Sequence, residues 1–157
     1  MDEITPLTLA DCAAAERVLR AAFAAYVGRL GRSQAADAYA WLPTAIDEAR
    51  VFGLRDGDDL VGVIVTSRAE AGWTLEQVAV DPQRQGNGIG SRLIRHVEAL
   101  ARTDEVPALF LDTAAMMGHL LRLYERHGFR ELRRGRPAHG RDPHERVYMI
   151  KPLSAGC

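Results

Sequence analysis

Residues 74–102 constrain this chain more than any other stretch. The first part alternates and is rich in Val and Leu, the pattern of a half-buried strand. The last part repeats apolar residues at Leu93, Ile94, Val97, Leu100 and Ala101, the pattern of a helix. Between them lies a turn carrying Gly86, Gly88 and Gly90. A helix start leaves several backbone N–H groups without carbonyl partners, and glycine has no side chain to keep an anion away from them. The aligned peptide dipoles add partial positive charge, so the turn suits a phosphate or pyrophosphate.

Known phosphate loops differ in the residues next to their glycines. A Walker loop needs Lys and then Ser or Thr, whereas Gly90 is succeeded by Ser91 and Arg92. A dinucleotide fingerprint beginning at Gly86 would have Ser91 in its third glycine position, with no β-α-β unit before it. The pattern that remains is Gln85-Gly86-Asn87-Gly88-Ile89-Gly90-Ser91, directly after a strand and opening a helix.

A length of 157 residues and 47% hydrophobic content fit a single domain over residues 1–157. The formal charge is −1 with both signs dispersed, which points away from nucleic acid and from a membrane surface. Neither a signal pattern nor a long apolar run is present, so a cytoplasmic location is the expectation. Cys12 and Cys157 form neither a zinc spacing nor a disulfide framework and are expected to be free thiols. The five histidines define no metal site: His96 is expected to be solvated, His119 and His127 helix-terminal, and His139 and His144 in a polar connection.

In chain order, residues 4–7 predict a first strand with Pro6 suited to an edge. Thr8 to Asp11 resembles a capping box, opening a helix that ends at Gly28 or Gly31. Ser33 is positioned to cap a further helical stretch with Tyr39 and Ile46 facing inward, divided by Pro43 into two short helices. Residues 51–55 and 60–68 predict a hairpin around Asp56-Gly57-Asp58-Asp59, an acidic turn read as solvated rather than as a calcium loop. Strands over 73–80 and 108–113, a helix ended by Gly128, a strand from Phe129 and a closing strand over 147–150 complete the order. The predicted fold class is α/β (α+β), a mixed, mostly antiparallel twisted sheet with helices on both faces. The strands flanking the loop helix run parallel.

A second segment, Leu123-Tyr124-Glu125-Arg126-His127-Gly128-Phe129, joins the glycine loop in resembling the GNAT superfamily of N-acyltransferases. The order of the two motifs and the closing strand extend the resemblance over essentially the whole chain. It implies an acetyl-CoA-dependent N-acetyltransferase, with acetyl-CoA as cosubstrate and a small-molecule or peptide amine as acceptor, working by direct attack in a ternary complex. The alternative is a non-catalytic acyl-CoA-binding sensor or regulatory module. By the same resemblance, Gln85, Gly86, Asn87, Gly88, Ile89, Gly90 and Ser91 hold the CoA pyrophosphate. Backbone groups of Val78, Ala79 and Val80 then meet the pantetheine, Tyr124 is the general acid and Glu76 the base. Many members carry an Asn ahead of the Tyr helix; residues 113–122 contain none, and Met116, Met117 and Leu120 stand there instead. Relatives that dimerise make a homodimer an option.

Overall fold

The computed structural model describes residues 3–137 and 144–153. Its elements are β1 (Ile4–Pro6), α1 (Cys12–Arg29), α2 (Leu42–Asp47), β2 (Val51–Asp56), β3 (Asp59–Ala69), β4 (Gly72–Val80), α3 (Ile89–Thr103), β5 (Ala108–Ala114), α4 (Gly118–Arg126), β6 (Arg130–Gly135) and β7 (Arg146–Pro152). The strands form one seven-stranded sheet in the order β1-β2-β3-β4-β5-β7-β6. It is a mostly antiparallel open sheet, and β4 and β5 run parallel as expected. Pro6 lies on the edge strand β1, where its missing N–H is harmless.

The chain divides into two compact units, Met1–Thr66 with Gln77–His96 and Ser67–Glu76 with Val97–Cys157. In the first, Leu7, Ala15, Val18, Leu19, Tyr39, Leu42, Ile46, Val51, Val63, Val65 and Ala79 form one buried cluster. The capping box that the sequence predicts closes the single 3-10 turn Leu9–Asp11 leading into α1, with Asp11 accepting from the Thr8 N–H at 2.8 Å. The helix ends at Arg29, and Gly31 takes a left-handed φ of 69° just beyond it. The hairpin turn is also as predicted: Asp56 and Asp59 are paired, with Gly57 at φ 64°.

The helix expected from Ser33 does not form; residues 32–35 are irregular and 36–41 are turns, and only α2 comes after them. Arg20 is the reason. Its guanidinium donates to the carbonyls of Ala35 and Ala36 at 2.9 and 3.0 Å, taking acceptors that a helix would use. The Gln34 amide donates back to the Arg20 carbonyl at 2.8 Å, and the Tyr39 hydroxyl donates to Gln34 at 2.9 Å. Pro43 sits at the start of α2 rather than breaking a longer helix, a position where its lost N–H costs little.

In the second unit, β5 pairs antiparallel with β7 from Ala108↔Pro152 to Ala114↔Arg146, and β6 pairs with the other side of β7. Lys151 on β7 forms an ion pair with Glu98 on α3. Although partial burial opposes it, Lys151 and Arg102 together hold the Glu98 carboxyl below the usual carboxylate range. No helix among the described residues is long and apolar enough to cross a membrane.

Candidate functional site

The glycine loop belongs to the first unit. Strand β4 ends at Val80, and the Asp81 N–H donates to the Val61 carbonyl at 2.9 Å. The Asp81 carboxylate then accepts the Gln83 N–H at 2.9 Å, starting a single helical turn over Pro82–Arg84. Beyond it the chain extends at Gln85, and Gly86 and Gly88 adopt φ of 87° and 75°. L side chains rarely reach that region, and a Cβ at either glycine would meet nothing within 4 Å. The loop is therefore shaped by backbone conformation and open on its outer side. Residues 85–88 are exposed, and Asn87 steadies them by donating to the Arg84 carbonyl at 3.0 Å.

Helix α3 begins at Ile89, and its first backbone bond runs from the Arg92 N–H to the Gly88 carbonyl at 3.1 Å. The N–H groups of Ile89, Gly90 and Ser91 thus stand in the first turn, where a helix offers no carbonyl acceptors of its own. Ile89 is 2% exposed and seats this turn in the core. Its methyl fits only because residue 62 is glycine: a Cβ there would lie 2.6 Å from Ile89 Cγ2. Nothing in the sequence marks Gly62, because the residue that fills its space is far along the chain.

Of the remaining loop-strand residues, Val78 and Ala79 are buried and Val80 is half-buried. They lie beyond the parallel register of β4 with β5, which comprises Trp73↔Leu109 and Thr74↔Phe110. Glu76 is the one exposed position of β4, whose other residues are buried or half-buried.

Tyr124 lies in the second unit, on α4. Its side chain is 5% exposed and meets Phe129 edge to face, with ring centroids 6.0 Å apart. Gly128, at φ 90°, turns the chain between the two rings. Burial pushes the phenol well above its ordinary range; Arg146 pulls it down somewhat and Asp112 adds to the rise. Like an ordinary tyrosine it is a phenol at neutral pH, and burial makes it a weaker acid than usual. Met117 caps α4, while Met116 is exposed and Leu120 half-buried at the start of that helix.

Other candidates from the sequence find structural roles. His96 is not simply solvated: it packs on the Phe52 ring at 5.4 Å, and burial lowers its pKa. His119 and His127 stand at the two ends of α4, as expected. His144 is half-buried, whereas His139 and Cys157 lie outside the described residues. Cys12 is a free, part-buried thiol whose pKa is raised by burial and by Glu16. No group of His, Cys, Asp and Glu among the described residues could hold a metal ion. The acidic turn is only partly solvated, since Asp56 and Asp59 both engage Arg84.

Comparison with known proteins gives a consistent result. A family model described as the Acetyltransferase (GNAT) family matches residues 15–129. No curated protein matches the chain. Among solved structures, the ribosomal-protein-S18-alanine N-acetyltransferase from Escherichia coli is similar at TM-score 0.75 and 23% identity, with 100% of this chain and 97% of that one covered. The PaiA N-acetyltransferase from Thermoplasma acidophilum, in complex with coenzyme A, gives TM-score 0.79 at 16% identity over 98% and 100% of the two chains. Ard1 from Thermoplasma volcanium gives 0.77 at 19% identity over 97% of each. At these identities the likeness is one of fold.

Proposed function

Since the chain belongs to the GNAT acetyltransferase family, which its match over residues 15–129 establishes, we propose that it is an acetyl-CoA-dependent N-acetyltransferase acting on a primary amine. The observation that carries this reading is the glycine loop: two left-handed, unobstructed glycines set before the first turn of a 15-residue helix. Those residues fit a pyrophosphate, and a fold relative solved with coenzyme A supports the choice of ligand.

Bound acetyl-CoA supplies an acyl group already activated as a thioester. The chain's part is to hold it and to manage two protons. Residues 85–91 grip the pyrophosphate through backbone N–H groups, and backbone groups of Val78, Ala79 and Val80 line up the pantetheine. One N–H of that strand polarises the thioester carbonyl. The amine nitrogen attacks that carbonyl carbon, the new C–N bond forms and the C–S bond breaks. Glu76, an exposed carboxylate, takes the proton the amine loses, directly or through water. Tyr124 gives its phenolic proton to the departing sulfur. Burial makes the phenol a weaker acid, but desolvation raises the basicity of a thiolate forming beside it in the same direction, so the transfer stays feasible.

Met116, Met117 and Leu120, standing where many members have Asn, give the acyl arm apolar packing in place of an amide contact. The raised thiol pKa of Cys12 lowers its thiolate fraction and so disfavours it as a nucleophile for a two-step route. The test is free-thiol release from acetyl-CoA across a panel of small amines and peptides. Amine-dependent release is expected; no turnover with any of them would sink the enzyme reading and leave a CoA-binding module.

A further inference from the structure

Asp56 and Asp59 close the β2–β3 hairpin directly opposite each other. Like charges opposed across antiparallel strands repel. Arg84 offsets the repulsion: its guanidinium pairs with Asp56 and lies 3.8 Å from Asp59. The backbone of the same residue holds the glycine loop. Its N–H donates to the Asp81 carbonyl at 2.8 Å, and its carbonyl accepts from Asn87 Nδ2 at 3.0 Å. One side chain therefore fastens the entrance of an exposed loop to the tip of a hairpin nearly thirty positions earlier in the chain.

Building on the acyl-CoA reading of that loop, we infer that Arg84, clamped by Asp56 and Asp59, is a positioning residue for the pyrophosphate, acting by fixing the loop backbone rather than by touching the anion. The two carboxylates cancel the charge that the guanidinium would otherwise offer a phosphate. Through-space electrostatics and positioning then predict opposite signs for the acidic residues. As negative charges near an anion site, Asp56 and Asp59 would weaken binding, so their removal would tighten it. As the clamp on Arg84, they preorganise the loop, so their removal loosens it and weakens binding.

The experiment compares the full chain with Arg84→Gln, Asp56→Asn and the double variant. Amide hydrogen exchange over residues 85–88 is read without ligand, CoA affinity by calorimetry, and acetyl-CoA KM and kcat by thiol release. Both single variants should speed exchange and weaken CoA about threefold, the scale of a half-exposed ion pair. The double variant should be no worse than either single one, KM for acetyl-CoA should rise with kcat unchanged, and Arg84→Lys should recover part of the loss. Tighter CoA binding by Asp56→Asn beside weaker binding by Arg84→Gln would overturn the inference in favour of direct contact. Unchanged exchange, or faster exchange with unaltered affinity, would also overturn it. If the unmodified chain bound no CoA, the acyl-CoA reading would fall with the positioning role, while the exchange data would still decide whether the clamp orders the loop.

Discussion

Gly62→Ala tests how the glycine loop is seated. Residue 62 is buried on β3 opposite Leu54, and the added Cβ would lie 2.6 Å from Ile89 Cγ2 and 3.1 Å from Leu93 Cδ1. Carbon atoms in good contact stand about 3.5–4.0 Å apart, so the first distance is short by about an ångström. Neither neighbour can swing away into solvent, because both are fully buried. Overpacking of this kind costs about 1–3 kcal/mol, offset by about 0.4–1 kcal/mol from the reduced freedom of the unfolded chain. The net loss is about 1–2 kcal/mol, or roughly 2–8 °C in Tm for a chain of this size. Ile89→Ala, which removes the clashing methyl, should cost about 2–5 kcal/mol by itself. In that background Gly62→Ala should become neutral or stabilising, giving a coupling of about 1–3 kcal/mol in a double-mutant cycle. Urea unfolding of the four proteins monitored by circular dichroism measures it. Equal destabilisation in both backgrounds, or none in the parent, would refute the packing argument.

Four further outcomes are expected. Gly88→Val places a branched side chain at φ 75°, a strain of about 1–2 kcal/mol in the loop; together with Gly90→Glu it should abolish acyl-CoA binding while the circular dichroism spectrum is retained, and intact affinity would count against the loop assignment. Tyr124→Phe should lower kcat by about 10²–10⁴-fold with CoA affinity preserved, whereas an unchanged kcat would remove its acid role. His96, part-buried, has a folded pKa below its ordinary 6.5, so the folded state binds fewer protons than the unfolded one. Stability should therefore fall as pH drops below about 6.5, and His96→Leu should flatten that slope in a Tm-against-pH series. Glu98 is depressed below its ordinary 4.5, so its contribution is present above that value and lost as pH falls through the lowered one; Glu98→Gln should reduce the dependence on acid across that window.

The features legible in the sequence were local ones. Thr8 with Asp11, Gly57 in its hairpin, Gly31 beyond α1 and Gly128 after α4 each arise from interactions within a few residues, and each stands where expected. The strand, glycine turn and helix over residues 74–102 belong to the same class, since alternation, left-handed glycines and helical periodicity are all short-range. Where prediction failed, a distant side chain intervened. Residues 33–41 carry helical spacing, yet Arg20 engages the carbonyls of Ala35 and Ala36. His96 sits among charged neighbours in sequence but lies on Phe52, forty-four positions earlier.

The site divides in the same way. By itself the sequence determined that a glycine turn opens a helix there and which glycines shape it, because φ preference and helix initiation are properties of the local chain. Tertiary structure alone decided what holds that turn in place. Gly62 makes room for Ile89, and Asp56 and Asp59 hold Arg84. It also decided the direction in which the Tyr124 pKa moves, since the rise comes from burial, a property that many distant residues impose together and that no short stretch of sequence contains.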